Sequence, residues 1–313
     1  MKAIVMHEYG APEVLQELEV DIPELKETQI LVEVHASSVN ATDYLFRSGA
    51  GKHLFPLQFP HILGVDVAGV VTKIGEKVTH VKPGDRVMGL VTAGGYADYV
   101  AVEANALVVI PPTLSFQEAA ALPAVSLTAW QALFQYGKLQ PGQRILIHAG
   151  AGGVGHIAVQ LAKQHGAYVI ATARTQNHEF VRQMGADEVI DYTTTDFAEA
   201  VSSVDIVLDM VMKMDMGVGE TALKSYTVLK DGGKLISLVS PAIADHPKIR
   251  GIEAQYVHVQ PNHSDFSAIV RIVEEQKLKV HVDGVFPFTA QGIAEAHHQS
   301  ESKHKRGKVV IKR

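Results

Sequence analysis

The chain has 313 residues, of which 47% are hydrophobic and 20% charged, and its formal net charge at pH 7 is −6. This length exceeds what one ordinary hydrophobic core needs, so two domains are predicted, and the acidic balance argues against a nucleic-acid partner. Cysteine is absent, which excludes disulfides and thiolate metal sites.

The start of the sequence, MKAIVMHEYG, carries too short an apolar run for a signal peptide and predicts a first strand instead. No uninterrupted apolar stretch reaches the roughly 18 residues that a membrane helix needs. We therefore expect a cytoplasmic protein, with neither a membrane nor a nucleic acid as partner.

The first third of the chain is rich in short apolar runs separated by turn-forming residues. This pattern extends from residue 2 to about residue 112 and predicts a β-rich, partly closed barrel. Pro111-Pro112 marks its end. Ser115 and Glu118 then have the spacing of a capping box, which predicts a helix beginning after Ser115, and a second helix is predicted over 128–136.

Residues 144–163, RILIHAGAGGVGHIAVQLAK, predict a strand, a tight turn and a helix. Gly150, Gly152 and Gly155 have the spacing that lets the chain turn sharply, admits a pyrophosphate close to the backbone and packs the helix on the strand. The free N–H groups at the start of the helix then bind the anion. The predicted cofactor contacts in this loop are Gly150, Ala151, Gly152, Gly153, Val154 and Gly155.

Strand and helix signals alternate from residue 144 to about 240, which predicts an α/β fold with a doubly wound parallel sheet. A helix is predicted over 220–229 and a strand over 234–238. Beyond Ser240 the pattern weakens. Ser264 is the predicted cap of one further helix, and strand-like runs follow at 280–288 and 308–312.

Arg174 follows the second predicted strand of this region, where such folds bind the adenine ribose. An acidic residue there would bind the 2′-hydroxyl of NAD, whereas a cation suits the 2′-phosphate of NADP. We therefore expect NADPH as the cofactor, with Thr172, Ala173 and Arg174 in contact and His178 and Tyr192 as auxiliary candidates. The alternative is that Arg174 is a solvated loop residue.

Several short motifs, in one fixed order, resemble those of a known family. The sequence resembles the quinone oxidoreductase and zeta-crystallin branch of the medium-chain dehydrogenase/reductase superfamily over nearly its whole length. The motifs that carry the resemblance are Asn40 with Asp43, Gly64-Val65-Asp66, Lys82-Pro83-Gly84-Asp85-Arg86-Val87, Gly95-Tyr96-Ala97, Thr128-Ala129, the glycine-rich segment 142–163, Gly185-Ala186-Asp187 and Gly307-Lys308-Val309-Val310.

The resemblance implies a GroES-like catalytic domain over 1–120, a Rossmann NADP-binding domain over 121–255 and a return over 256–313 that completes the catalytic domain. It also implies a homodimer. Leu238, Val239 and Ser240 are expected to reach the nicotinamide through the backbone. Ser126 and Thr128 either contact the nicotinamide amide or cap a helix.

The family resemblance also bears on the catalytic metal. Zinc-dependent relatives place a cysteine at the position of Asn40, a histidine at Val65 and a cysteine near Ala124, and none of these three side chains is a suitable zinc ligand. We therefore predict a zinc-independent enzyme. Hydrogen-bond donors must then stabilise the negative charge that develops as hydride arrives, which suits quinones and α,β-unsaturated carbonyls because they delocalise it.

Asn40 is the first candidate for this donor, with Asp43 and Tyr44 as further catalytic candidates and Arg47 nearby. The alternatives are that Asn40 and Asp43 cap a turn and that Tyr44 lines a wall. The expected function is NADPH-dependent reduction of quinones or enones. An enoyl-thioester reductase and a non-catalytic NADPH-binding protein remain alternatives, and Met210, Met212, Met214 and Met216 either line an apolar pocket or fill the core.

Overall fold

The computed structural model describes residues 1–212, 217–302 and 305–313, and the chain divides into two compact units. Unit 1 consists of Met1–Leu127 and Pro261–Arg313, and unit 2 of Thr128–Gln260. The divisions implied by the family resemblance, after residues 120 and 255, lie several residues earlier. The first division lies inside a continuous helix, Pro123–Trp130, which leaves no linker composition to mark it.

The N-terminal part of unit 1 is mainly antiparallel β-structure. The predicted capping box is present: Glu118 N donates to Ser115 Oγ at 3.2 Å, and Ser115 N donates to Glu118 Oε2 at 2.9 Å. The strands are β1 Lys2–Met6, β2 Gln16–Glu19, β3 Gln29–Val39, β4 His61–Ile62, β5 Asp66–Ile74, β6 Arg86–Leu90, β7 Tyr99–Glu103 and β8 Leu107–Val109; the helices are α1 Ala41–Ser48, α2 Phe116–Ala120 and α3 Pro123–Trp130, which continues as a π-helix over Gln131–Tyr136.

Unit 2 alternates strands with helices around a parallel sheet. Its elements are β9 Arg144–Ile147, α4 Gly153–Gln164, β10 Tyr168–Thr172, α5 His178–Gln183, β11 Glu188–Ile190, α6 Phe197–Ala200, β12 Val204–Asp209, α7 Glu220–Ser225, β13 Leu229–Ser237 and β14 Glu253–Tyr256. The strand order is β11-β10-β9-β12-β13-β14, with every pair parallel. Because the chain winds outward from β9 in both directions, the predicted doubly wound α/β fold is confirmed.

The central strands of unit 2 are buried on both faces, which explains their nearly continuous apolar runs. Leu146, Ile170, Val207 and Leu235 are fully buried in one cluster. The predicted helix over 220–229 is wrong beyond Ser225, because the chain turns at residues 226–228 so that Leu229 pairs with Val204.

The chain then returns to unit 1 through α8 His263–Glu274, β15 Val282–Pro287, α9 Ala290–Glu301 and β16 Lys308–Lys312. β16 lies antiparallel beside β3 and parallel to β15, in a sheet of order β15-β16-β3-β5-β6-β8 to which β7 adds by pairing with β3. The predicted cap at Ser264 is wrong: the side chain of Asn262 accepts from Asp265 N at 2.9 Å, so Ser264 lies within the first turn of α8.

Candidate active site

The turn between β3 and α1 is held by the carboxylate of Asp43. Its Oδ2 accepts from Asn40 N at 2.7 Å and its Oδ1 accepts from Gly64 N at 3.0 Å. Burial raises the pKa of Asp43 to about 7, and the Asp66 charge adds to the rise, while the two N–H groups and Lys308 oppose it. Both oxygens are occupied by backbone groups, so Asp43 shapes the turn that carries Asn40.

The side-chain amide of Asn40 lies between two buried charges. Its Nδ2 donates to Asp66 Oδ2 at 2.7 Å, and its Oδ1 accepts from Lys308 Nζ at 2.5 Å. Asp66 and Lys308 are fully buried and form an ion pair at 3.2 Å. Buried charges of this kind persist only when they are paired and hydrogen-bonded. Asn40 is buried as well, but 9% of its surface is exposed against 0% for Asp66 and 1% for Lys308, so it is the most accessible residue of the three.

Asp66 has two further partners. Ser38 Oγ donates to its Oδ2 at 2.5 Å, and Ala124 N, in the first turn of α3, donates to its Oδ1 at 2.7 Å. The sequence motifs containing Asp66 and Lys308 served only to indicate the family, and neither residue was a predicted site residue. The sequence does contain a signal for this pair. Asp66 and Lys308 each begin a strongly apolar run, and a charged residue in such a place is buried only when it has a partner.

Tyr44 lies on α1 and is half-buried. Burial raises its pKa to about 12, and the charges of Glu301 and Asp43 contribute in the same direction. Its hydroxyl therefore stays protonated at neutral pH but is a weaker acid than an ordinary tyrosine. This favours a hydrogen-bonding or wall role over proton donation.

Arg47, on the same helix, is buried away from solvent. Its guanidinium donates to Gly10 O at 2.9 Å and to His297 Nδ1 at 3.2 Å, and it pairs with Glu301. Because Arg47 donates to Nδ1, the His297 proton resides on Nε2, which donates to the Tyr96 hydroxyl at 3.2 Å. Burial lowers the pKa of His297 to about 3. Arg47 thus anchors α1 rather than facing a substrate.

In unit 2, the glycine-rich loop follows β9 as predicted. A Cβ on Gly155 would lie 2.2 Å from Ala149 O, and one on Gly150 would lie 2.9 Å from Ala171 Cβ, so both positions require glycine for packing. A Cβ on Gly152 would meet only Ala149 O, at 3.2 Å. The loop is therefore closely packed at its first and third glycines and more open at the second.

Helix α4 begins at Gly153, with Gly152 as its N-cap and the buried Ala151 before it. The N–H groups of Gly153, Val154 and Gly155 form the first turn, where no preceding helical carbonyl is available to accept them. A helix start with free N–H groups and little side-chain bulk fits a pyrophosphate.

The loops after β10 and β11 bring together several of the predicted cofactor residues. Arg174 Nε donates to the Tyr192 hydroxyl at 3.0 Å, and His178 Nε2 lies 3.2 Å from Ala173 O. Thr172 Oγ1 instead accepts from Ala149 N at 3.2 Å, so its hydroxyl fixes the glycine-rich loop.

Asp191 follows β11, close to the loop that carries Arg174. An acidic residue in such a place can bind the 2′-hydroxyl of an adenine ribose. The oxygens of Asp191 accept from Thr175 N at 2.7 Å, from Thr193 N at 2.8 Å and from both threonine hydroxyls. The hydroxyls of Thr175 and Thr193, followed by these N–H groups, lower the pKa of Asp191. The carboxylate is thus committed to holding the two loops together.

Two predicted cofactor residues carry buried hydroxyls that lack a hydrogen-bond partner among the described residues: Ser126 in α3 and Ser240 after β13. Such groups are uncommon, because buried polar atoms are normally bonded. Each fits a polar group of a ligand, such as the carboxamide of a nicotinamide. Thr128 is half-buried, and Leu238 N and Ser240 N are occupied by Asp209 O and Ser237 Oγ.

The structure describes two of the four methionines that were candidates for lining an apolar pocket. Met210 and Met212 are half-buried after β12, whereas Met214 and Met216 lie outside the described residues, so the pocket stays a prediction. Across residues 1–212, 217–302 and 305–313, no cluster of three or more histidine, aspartate or glutamate side chains is arranged to hold a metal. The helices in those ranges include none that is long and apolar enough to cross a membrane.

Comparison with known proteins identifies the family. The chain matches the alcohol dehydrogenase GroES-like domain over residues 26–112 and the zinc-binding dehydrogenase family over residues 184–311. It is 35% identical to the chloroplastic quinone-oxidoreductase homolog of Spinacia oleracea, over 99% of this chain and 98% of the relative. It is 36% identical to the NADPH-dependent alkenal/one oxidoreductase of Arabidopsis thaliana, over 99% of this chain and 79% of the relative.

Solved structures agree. The quinone oxidoreductase from Coxiella burnetii superposes with a TM-score of 0.91 at 36% identity, covering 100% of this chain and 99% of that one. The Escherichia coli quinone oxidoreductase complexed with NADPH superposes with a TM-score of 0.88 at 28% identity, covering both chains fully.

The fold and these relatives define an oxidoreductase with a GroES-like domain and a Rossmann domain. The chain belongs to the medium-chain dehydrogenase/reductase superfamily, in its quinone oxidoreductase branch, as the sequence motifs indicated. The prediction of an enzyme is thereby confirmed, and the non-catalytic alternative is set aside. One matched family carries zinc in its name, but this chain has no cysteine.

Proposed function

We propose that the chain is an NADPH-dependent, zinc-independent reductase of quinones or α,β-unsaturated carbonyls. The observation that carries the proposal is the Asn40 amide, a neutral donor fixed between Asp66 and Lys308. The names of the relatives, quinone oxidoreductases and an alkenal/one oxidoreductase, support the substrate class.

NADPH rather than NADH is supported by the loops after β10 and β11. Arg174 and Tyr192 present a cation and a hydroxyl where a 2′-phosphate would bind, and the nearby Asp191 is occupied by threonines. Two similar structures were solved in complex with NADPH. The glycine-rich loop would hold the pyrophosphate, and Ser126 and Ser240 would bind polar groups at the nicotinamide end.

When bound, the cofactor supplies a hydride. An enone would take a hydride at its β-carbon and a proton from solvent at its α-carbon, and a quinone would take one hydride and one proton to become a hydroquinone. In both cases negative charge develops on the carbonyl oxygen. Asn40 donates an N–H to that oxygen, and a positioned donor of this kind contributes about 3 kcal/mol to the transition state.

The first experiment is NADPH oxidation by purified, chelator-treated protein against quinones, enones and enoyl thioesters, with NADH in parallel. The proposal expects turnover of quinones or enones that survives chelation and prefers NADPH. Activity that chelation abolishes and zinc restores would refute zinc independence. Turnover confined to enoyl thioesters would instead establish the alternative substrate class. Enoyl thioesters are included because the chain is similar to the CurK enoyl reductase structure, at 27% identity.

We also propose that the enzyme is a cytoplasmic homodimer. The dimer follows from the family resemblance, and the compartment from the sequence prediction that the chain carries no signal peptide. The plant relatives are named as chloroplastic, so the compartment needs its own test. Sedimentation equilibrium would measure the mass in solution, and fractionation of the source cells would locate the protein.

A further inference from the structure

The amide orientation of Asn40 is determined by its neighbours. The ammonium of Lys308 can only donate, so the atom 2.5 Å from it is the amide oxygen. The carboxylate of Asp66 can only accept, so the atom 2.7 Å from it is the amide nitrogen. Turning the amide over would set NH₂ against the ammonium and oxygen against the carboxylate, and both contacts would be repulsive.

We infer that Asp66 and Lys308 are positioning residues that fix the Asn40 amide so that its second N–H is offered to the substrate carbonyl. This inference rests on the proposed function. The inference goes beyond the proposed function, because it assigns a catalytic contribution to two buried charges that a substrate does not touch.

The hydrogen-bond inventory of the cluster supports this assignment. Lys308 Nζ uses its three protons on Val39 O at 3.1 Å, Asn40 Oδ1 at 2.5 Å and Asp66 Oδ2 at 3.2 Å. Asp66 accepts from Lys308, Asn40, Ser38 and Ala124. Asn40 Nδ2 carries two protons and donates one to Asp66. Within this cluster, its second proton is therefore the one left for a ligand.

The same arrangement strengthens the remaining donor. An ammonium bound to the amide oxygen draws electron density away from the amide nitrogen, and hydrogen bonds in a chain polarise one another in this way. Burial of Lys308 and Asp66 keeps water from screening the effect. The amide therefore meets the developing charge as a preorganised and polarised donor.

Asp66 has a second positioning role through Ala124. The N–H of Ala124 lies in the first turn of α3, and Ser126 follows two residues later in the same helix. One carboxylate thus fixes both the Asn40 amide and the start of the helix that carries the unpartnered Ser126 hydroxyl.

The test combines kinetics with a double-mutant cycle. Lys308→Met removes the charge while keeping an unbranched side chain. We expect at least a 10-fold lower kcat, with the dissociation constant for NADPH unchanged by fluorescence titration. In the Asn40→Ala background, the same substitution should cause little further loss, because the donor that Lys308 positions is already absent. A full additional loss in that background would overturn the inference.

A matched control separates positioning from destabilisation of the strand. Ile311 is fully buried on β16 three residues from Lys308 and belongs to an apolar cluster that does not include Asn40. Ile311→Ala should lower the melting temperature but leave kcat near the wild-type value. A fall in kcat equal to that of Lys308→Met would overturn the inference.

A second measurement does not depend on turnover. The side-chain amide of Asn40 is assigned by NMR as the NH₂ signal lost in Asn40→Ala. We expect one of its protons to be shifted downfield by the Asp66 carboxylate, and Lys308→Met or Asp66→Asn to shift both signals and speed their exchange. Unchanged signals in both variants would overturn the inference. If either variant fails to fold, the other supplies this measurement. If the wild-type protein proves inactive, the proposed function is refuted, but the NMR test of the Asn40 amide can still be carried out.

Discussion

Arg174 Nε donates to the hydroxyl of Tyr192 at 3.0 Å, across the loops that follow β10 and β11. The flanking Asp191 accepts from Thr175 N at 2.7 Å, so the same two loops are joined a second time next to Arg174. The guanidinium is therefore oriented by a neighbouring side chain, in a part of the surface that solvent reaches. This arrangement lowers the entropy lost when a phosphate binds to it.

The first prediction concerns Arg174→Ala. Loss of a charge-assisted contact with the 2′-phosphate should raise the KM for NADPH roughly 10- to 100-fold, because such bonds contribute about 1.5–3 kcal/mol. The KM for NADH should change little. Steady-state kinetics with both cofactors check this, and Arg182→Ala, at an exposed arginine in the last turn of α5, is the control expected to leave both values unchanged. Equal effects of Arg174→Ala on both cofactors would refute the assignment.

Tyr192→Phe isolates the role of the hydroxyl that holds Arg174. The ring is retained, so only the hydrogen bond to the guanidinium is removed. We expect the KM for NADPH to rise a few-fold, in line with about 1 kcal/mol for a hydrogen bond, with no effect on NADH. In the Arg174→Ala background the substitution should have no further effect if the hydroxyl acts through Arg174.

Ser126→Ala should change stability and cofactor affinity in opposite directions. The Ser126 hydroxyl is fully buried without a partner, so its removal should raise the free energy of unfolding of the cofactor-free protein by about 1 kcal/mol. NADPH binding should weaken, because the ligand loses a polar partner. Thermal melts with and without NADPH measure both effects.

Ser225→Ala is the comparison for this result. Ser225 is equally buried, but its hydroxyl donates to Thr221 O at 2.7 Å and lies 3.1 Å from His148 Nε2. Its removal should destabilise the protein in both conditions. If Ser126→Ala also lowers the melting temperature of the cofactor-free protein, its hydroxyl has a structural partner instead.

Acid should destabilise the protein through His148. Burial lowers the pKa of His148 from its ordinary value of 6.5 to about 4, so the folded protein keeps it neutral while the unfolded chain takes up a proton. Stability is therefore lost as the pH falls through 6.5 toward 4, and between pH 7 and 5 the loss is about 2 kcal/mol.

Urea unfolding at pH 7, 6 and 5 measures this dependence. His148→Gln should reduce the loss of unfolding free energy between pH 7 and 5 by about 2 kcal/mol, whatever its effect on stability at pH 7. His53→Gln, at an exposed histidine, should retain the wild-type slope. A wild-type slope in His148→Gln would mean that other groups cause the acid sensitivity.

The sequence was most informative where local patterns decide the structure. The glycine spacing after β9 follows from the close approach of Ala171 Cβ to Gly150 and of Ala149 O to Gly155, and Ser115 with Glu118 forms a capping box from residues three apart. The alternation of strands and helices was enough to predict the parallel sheet. These features depend on neighbours in sequence, so a single chain reveals them.

The centre of the candidate site depends instead on contacts between distant residues. Asn40 was predicted as a donor, but its fixing by Lys308 joins positions 268 residues apart. Such a contact leaves no local pattern. Likewise, α9 and β14 were missed, and the predicted helix over 220–229 was too long because pairing of Leu229 with Val204 prevails over local helical preference.

That long separation has a consequence for synthesis of the protein. At about 5–20 residues per second, a ribosome needs roughly 15 to 50 s to pass from Asn40 to Lys308. During this interval the nascent chain contains Asp66 without its ammonium partner and β3 without β16 beside it. Unit 2 is translated in between as one continuous segment, so its parallel sheet can form before β16 completes the sheet of unit 1.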